Sequence, residues 1–191
     1  IVHLYGLAAD MNQILTIAAK HGQIVIEDAA HAIGTGYNGR HIGWKNPAVF
    51  SFHPIKNITT GEGGMVVMRD PAAHRLALKL RGQGLADTRE YWHDVVGYNY
   101  RMSNICAGIG RGQMEVLDKH VALRRQMHDF YVEVFASIEG VDVFSTPNEE
   151  YYANYWLSAI TIDENKTKVI TREKLRLALD DENIESRPLW K

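Results

Sequence analysis

The segment FSFHPIKNITTGEGG, residues 50–64, is the most informative part of the sequence for the fold. Residues 47–52 have the apolar pattern of a short buried strand, and Gly61, Gly63 and Gly64 turn the chain into a second predicted strand at residues 65–68. Lys56 therefore lies in the connection between two strands. A lysine there can direct its amine into a cleft, where desolvation lowers the pKa and makes the neutral, nucleophilic form accessible. The alternative is a solvated loop lysine.

A second motif, EDAAH at residues 27–31, follows the apolar run at residues 24–26 and places Asp28 at the carboxyl end of a predicted buried strand. Ligands of open α/β sheets bind in the crevice at these strand ends. A carboxylate there can pair with the pyridine nitrogen of pyridoxal phosphate and keep the ring protonated; a helix N-cap is the alternative. His31 faces the same site if a helical turn begins at Asp28, although a lone histidine is more often structural.

Three ordered segments carry a resemblance to a known family: VIEDAAHAIGTGYNGRHIG at residues 25–43, FSFHPIKNITTGEGGMVV at 50–67 and GYNYRMSNICAGIGRGQMEVLD at 97–118. They resemble the sugar aminotransferases of the DegT/DnrJ/EryC1/StrS family, which are fold-type-I pyridoxal phosphate enzymes acting on nucleotide-linked keto sugars. The similarity runs from residue 2 to residue 191. Members of this family are longer than this chain, which we therefore expect to be an internal piece that lacks part of the phosphate-binding site.

The resemblance implies an α/β fold with a mostly parallel sheet, flanking helices and a smaller α+β C-terminal domain. Residues 1–102 would be part of the large domain that binds pyridoxal phosphate, 103–138 a long bridging helix, and 139–191 part of the small domain. The order strand, helix, strand at the start of the chain also favours a parallel sheet.

The resemblance also implies the roles of five residues. Lys56 would hold the cofactor as a Schiff base and move a proton between the substrate carbon and the cofactor, while Asp28 keeps the pyridinium charged. His31 would contact the ring or its 3′-hydroxyl. The Ser51 hydroxyl, a suitable phosphate donor, would bind the cofactor phosphate. Asn99 would reach the cofactor phosphate of the neighbouring subunit, which implies a homodimer with shared active sites.

Within the family, the GQMEVLD segment at residues 112–118 and the closing SRPLWK at 186–191 look most similar to enzymes that aminate C4 of a UDP-4-keto-6-deoxy-N-acetylhexosamine. The expected reaction is amino transfer from L-glutamate, through the aminated cofactor, for cell-surface glycan synthesis, with Arg187 and Trp190 near the substrate. One alternative is another nucleotide sugar, as in GDP-perosamine synthesis. The other is a non-catalytic α/β nucleotide-binding module in which Asp28 is a cap and Lys56 a surface residue.

Composition narrows the class of protein. The 191 residues are 46% hydrophobic, enough for a sizeable core, and the formal net charge is −2. No basic block interleaved with aromatic residues predicts nucleic-acid binding, and no long apolar run or signal peptide is seen, so we expect a cytoplasmic protein without a membrane partner. The single cysteine, Cys106, is expected to pack in a helix, and no metal ligands are predicted.

Local patterns predict the remaining elements. They are a strand near residues 1–5, a helix from Asp10 to Gly22, a hairpin at Asn38 and Gly39, a helix starting at Asp70 and Pro71, a loop over 82–98, a bent helix over 103–138, strands at 141–144 and 155–162, and a helix capped by Thr171.

Overall fold

The computed structural model describes residues 1–189, so Trp190 and Lys191 lie outside the described residues. The helices are α1 (Met11–Lys20), α2 (Pro71–Arg81), α3 (Asn104–Met114), α4 (Leu117–Phe135), α5 (Glu164–Thr167) and α6 (Arg172–Asp181). The strands are β1 (Glu27–Asp28), β2 (Gly36–Tyr37), β3 (Arg40–His41), β4 (Ala48–Ser51), β5 (Gly64–Val67), β6 (Val141–Val143), β7 (Tyr151–Tyr152) and β8 (Ile160–Ile162).

The sheet that carries the candidate site has the order β1-β4-β5. β1 runs parallel to β4, with Asp28 opposite Val49, and Val2 adds a parallel bridge to Asp28. β5 pairs antiparallel with β4 because it follows without a crossover helix. The expectation of a mostly parallel sheet is therefore wrong for this chain, whose sheets are small and mixed. β3-β2-β7 and β6-β8 form two further sheets.

The core packs beneath the connection between β4 and β5. Its buried apolar residues are Ala8, Met11, Ala29, Ala32, Ile33, Tyr37, Ile42, Ala48, Phe50 and Ile58. Two predicted caps position the helices around it: Asp10 accepts a hydrogen bond from the Gln13 backbone at 3.1 Å, and Asp70 caps α2. The predicted tight turn at Asn38 and Gly39 is confirmed between β2 and β3.

A buried polar network fixes the start of β1. His3 Nδ1 accepts a hydrogen bond from the Ala9 backbone at 3.1 Å, so His3 Nε2 carries the proton and donates to Glu27 Oε2 at 3.1 Å. Asn46 and the Gly43 backbone also donate to this carboxylate, at 2.6 and 2.9 Å. Burial acts to raise the pKa of Glu27, but these hydrogen bonds outweigh it and hold the pKa below its usual value.

Three strand predictions are wrong in extent. The run at residues 24–26 is not a buried strand: Ile24 is 85% exposed, Ile26 is also exposed, only Val25 packs against the core, and ladder pairing begins at Glu27. The first residues make one bridge at Val2 and then a 3-10 turn at Leu4–Gly6. The strand predicted at 155–162 is limited to β8, because Tyr155 has a positive φ of 46° that interrupts extended backbone.

The single long helix predicted over residues 103–138 is two helices, interrupted at Glu115 and Val116. Side chains on both sides of the break bind the connection that carries Lys56. Gln113 in α3 accepts a hydrogen bond from the Thr59 backbone at 3.2 Å, and His120 Nδ1 in α4 lies 2.8 Å from the carbonyl oxygen of Asn57. Both α3 and α4 therefore contact the loop that carries Lys56. Within the described residues, no helix is both long and apolar enough to span a membrane.

Candidate active site

Lys56 lies in the connection between β4 and β5, and two contacts hold its backbone. Its N–H donates to the carbonyl of His53 at 3.0 Å, and the preceding carbonyl, that of Ile55, accepts from the indole N–H of Trp156 at 2.7 Å. The Lys56 side chain is half-buried, with Nζ 3.9 Å from the centroid of the Trp156 ring. Burial lowers the pKa of Lys56, and the charge of Asp28 opposes this shift. The neutral amine is thus more accessible than in a solvated lysine.

Asp28 ends β1, where Ile1 and His3 hold its backbone on one side through hydrogen bonds of 2.8 and 3.0 Å. Its side chain is exposed and caps a turn rather than a helix, since Oδ1 accepts from the Ala30 backbone at 3.0 Å. The charge of Asp28 acts on both Lys56 and His31. A carboxylate, an amine and an imidazole therefore share one site at the strand end.

His31 follows in that turn, and its ring stacks on Trp156 with centroids 4.0 Å apart. Burial and the charge of Lys56 lower the pKa of His31 to about 4, against a smaller opposing effect of Asp28. The imidazole is therefore neutral at physiological pH. A neutral imidazole can accept or donate a single proton without adding charge to the site.

Ser51 and Asn99 occupy different places. Ser51 ends β4, beside the end of β1, and its Oγ accepts a hydrogen bond from the His53 backbone at 3.3 Å. Asn99 is exposed on a separate loop, where its backbone bridges to Gly82 at the end of α2. The structure thus brings Lys56, Asp28 and His31 together with Ser51 close along the same sheet edge, and it holds Asn99 elsewhere.

Three residues of the site were not predicted. Trp156 contacts both Lys56 and His31. Asn154 is fully buried and fixes Trp156, as described below. The buried Asn57 side chain has both polar atoms without a hydrogen-bond partner among the described residues. The sequence gives no signal for Trp156 or Asn154, because both lie more than 90 residues beyond Lys56, Trp156 within the predicted strand at 155–162 and Asn154 just before it.

These residues fit pyridoxal phosphate. The cofactor needs an amine that reacts with its aldehyde, a carboxylate for its ring nitrogen and donors for its phosphate. Lys56 could supply the first, Asp28 the second, and the Ser51 hydroxyl one of the third. The buried amide of Asn57, directly after Lys56, leaves hydrogen-bonding capacity at the same place.

The fold and the site define a class of proteins, and sequence comparison agrees. The DegT/DnrJ/EryC1/StrS aminotransferase family matches residues 1–191. The chain belongs to this family, whose members are pyridoxal-phosphate-dependent sugar aminotransferases. The resemblance inferred from the three sequence segments is thereby confirmed.

Individual relatives within the family include two GDP-perosamine synthases. The chain is 43% identical over 198 residues to the GDP-perosamine synthase of Escherichia coli O157:H7, covering 99% of this chain and 50% of that protein. It is 38% identical to the GDP-perosamine synthase of Vibrio cholerae, covering 99% and 51%. The chain thus spans about half the length of the curated relatives it matches. The expected match to enzymes of UDP-linked N-acetylhexosamines is not confirmed.

Solved structures show the same fold. DesV from S. venezuelae, in complex with a ketimine intermediate, aligns with a TM-score of 0.86 and 32% identity over 96% of this chain and 47% of that one. Helicobacter pylori PseC, an aminotransferase involved in the biosynthesis of pseudoaminic acid, aligns with a TM-score of 0.90 and 25% identity over 100% and 51%. The chain therefore corresponds to half of a fold-type-I aminotransferase.

Proposed function

We propose that the complete protein is an aminotransferase that moves an amino group from L-glutamate to the keto carbon of a GDP-linked 4-keto-6-deoxy sugar. Identities of 43% and 38% to two GDP-perosamine synthases support the GDP-linked sugar. The UDP-linked N-acetylhexosamine expected from residues 112–118 and 186–191 has less support and serves as the competing substrate.

One observation carries the proposal: the Lys56 amine lies half-buried beside the charge of Asp28, with its pKa lowered. A surface lysine in a non-catalytic binding module would be solvated, so this environment favours chemistry over simple binding. Bound pyridoxal phosphate supplies an electron sink for a carbanion. Lys56 is the base that takes a proton from the substrate carbon and returns it, because burial lowers its pKa and makes the neutral amine more accessible than in a solvated lysine.

The other side chains orient the reacting groups. Asp28 would accept a hydrogen bond from the ring nitrogen of bound pyridoxal phosphate, because its carboxylate lies at the end of β1. His31, neutral at physiological pH, would contact the ring, and Ser51 would donate a hydrogen bond to the phosphate. Each of these groups lies at the carboxyl ends of β1 and β4 or in the loops that follow them, where open α/β sheets bind ligands.

Asn99 and the two central helices support a homodimer. Asn99 is exposed, and its backbone bridges to Gly82 rather than to Lys56, Asp28 or His31, in keeping with a role at the site of a neighbouring copy. Apolar residues of α3 and α4 are exposed, among them Ile105, which is 77% exposed, and Phe130. Such residues are expected to be covered in the complete assembly. We propose that the partner is a second copy, with two composite sites.

Amino transfer can be measured directly with the complete protein, pyridoxal phosphate and L-glutamate, comparing GDP-4-keto-6-deoxymannose with UDP-4-keto-6-deoxy-N-acetylglucosamine. We expect kcat/KM to favour the GDP-linked sugar by at least about 100-fold, because a site built to hydrogen-bond one base leaves polar groups unpaired with another. Lys56→Ala should be inactive with both sugars, whereas Lys45→Ala, at an exposed lysine, should retain activity.

A preference for the UDP-linked sugar would reverse the assignment of the nucleotide but leave the reaction class in place. Absence of amino transfer to either sugar, together with equal behaviour of the wild type and Lys56→Ala in every assay, would overturn the aminotransferase proposal itself.

A further inference from the structure

The Trp156 side chain contacts both Lys56 and His31. It is 3% exposed, and its indole N–H donates to the carbonyl of Ile55, the residue before Lys56, at 2.7 Å. The centroid of its ring lies 3.9 Å from Lys56 Nζ and 4.0 Å from the centroid of the His31 ring. The indole therefore touches the backbone of the lysine turn and the reactive amine at the same time.

The indole is itself held rigidly. Asn154 Oδ1 accepts from the Trp156 backbone at 2.8 Å, and Asn154 Nδ2 donates to the carbonyls of His31 and Ile33 at 2.9 and 2.7 Å. Asn154 is fully buried, so water does not compete for these bonds. The hydrogen bonds of Asn154 thus fix the position of Trp156 relative to the His31 turn.

These contacts matter because a lysine side chain is long and flexible. Its four-carbon stem allows the amine to occupy many positions, and catalysis requires one of them. An aromatic face attracts an ammonium within about 6 Å of its centroid, and the observed distance of 3.9 Å lies well inside this limit. The hydrogen bond that the Trp156 indole N–H donates to Ile55 fixes the turn that carries the Lys56 side chain.

We propose that Trp156 is a positioning residue for Lys56: its N–H anchors the lysine turn, and its ring face holds the amine beside Asp28 and His31. The catalytic meaning of this inference rests on the proposed function. The contacts themselves can be tested in cofactor-free protein, so the two can fail separately.

The test uses the complete protein without cofactor and three variants. Trp156→Phe keeps an aromatic face and loses the N–H donor, and Trp156→Leu loses both. Trp92→Phe is the matched control, since Trp92 is exposed in the loop before α3. Two quantities are measured: hydrogen exchange of the peptide that covers residues 51–58, and the rate of acetylation of Lys56 relative to the exposed Lys45 across a pH series.

We expect exchange in residues 51–58 to be about three- to tenfold faster in both Trp156 variants, because each removes one net hydrogen bond from the turn. The pH-independent acetylation rate of Lys56 relative to Lys45 should rise several-fold in Trp156→Leu, which bares the amine, and stay close to wild type in Trp156→Phe. Trp92→Phe should change neither quantity.

A purely structural role predicts a different result. Thermal unfolding would then shift and exchange would rise throughout the chain, while the ratio of Lys56 to Lys45 acetylation stayed constant in Trp156→Leu. That constant ratio would overturn the proposal. If Trp156→Leu does not fold, Trp156→Phe decides alone: exchange in residues 51–58 no faster than in Trp92→Phe would also overturn it.

Discussion

Replacing Asn154 with alanine should remove the hydrogen bonds that connect the His31 turn to Trp156. The side chain makes three hydrogen bonds, to the carbonyls of His31 and Ile33 and from the Trp156 backbone, all between 2.7 and 2.9 Å. Each is worth about 0.5–1.5 kcal/mol net, and the buried partners left behind cost more when they lack a substitute. We therefore expect Asn154→Ala to lower the free energy of unfolding by about 3–5 kcal/mol.

Urea denaturation of the complete protein, followed by tryptophan fluorescence, measures this change directly. The matched control is Asn148→Ala. Asn148 makes one exposed hydrogen bond, from the Glu150 backbone at 2.9 Å. The control should therefore change stability by less than about 0.5 kcal/mol.

A loss smaller than about 1 kcal/mol in Asn154→Ala, with the control unchanged, would contradict this expectation. It would mean that the three polar partners of Asn154 find equivalent hydrogen bonds without it, and that the His31 turn and Trp156 are not coupled through this side chain.

Three further outcomes follow from the same geometry. His31 stays neutral in the fold, so its stability contribution is complete above pH 6.5 and is lost as the pH falls toward its pKa of about 4; in pH-dependent urea denaturation, wild type should lose about 1–2 kcal/mol more than His31→Asn over this interval. Asp28→Asn removes the charge that raises the pKa of Lys56, so the pH profile of Lys56 acetylation should shift to lower pH. Gly6→Ala should cost at least about 3 kcal/mol in urea denaturation, because a Cβ would lie 1.8 Å from Asn154 Oδ1 and φ is +88°.

Each of these has a control and a contradicting result. The control for His31→Asn is His21→Asn, which changes an exposed histidine. If the free energy of unfolding depends on pH equally in both variants, the prediction that His31 is neutral in the fold is wrong. An unchanged profile in Asp28→Asn would show that the two charges do not interact. Gly39→Ala has a similar φ of +69° but open space around the added carbon. Equal losses at Gly6 and Gly39 would place the cost in the backbone alone.

Local patterns predicted the local structure well. Asp10, Asp70 and Thr171 cap helices as expected, because an N-cap depends on residues two or three positions apart, and Ser103 caps α3 in the same way. The same holds for the turn that carries Lys56, where glycines and flanking strands are all within one short stretch. The resemblance of the three sequence segments to a family, now confirmed, predicted the class of enzyme as well.

Long-range packing was not predictable in the same way. The run at residues 24–26 has the pattern of a buried strand, but burial depends on what covers it, which local pattern does not contain. The side chains next to the break between α3 and α4 contact the lysine loop, more than 50 residues earlier in the chain, and local pattern does not contain such contacts. Trp156 follows Tyr155, whose positive φ of 46° interrupts the extended backbone that the pattern predicts, and its backbone N–H donates to Asn154.

The proposed function requires Lys56 to hold the cofactor and to perform amino transfer. The most direct measurement is the absorbance spectrum of the complete protein with pyridoxal phosphate, before and after L-glutamate, beside Lys56→Ala, with borohydride trapping and peptide mapping. We expect a visible band in the wild type that glutamate removes, a borohydride label on Lys56, and no such band in the variant. A band that persists in Lys56→Ala, or a label on another lysine, would contradict the claim.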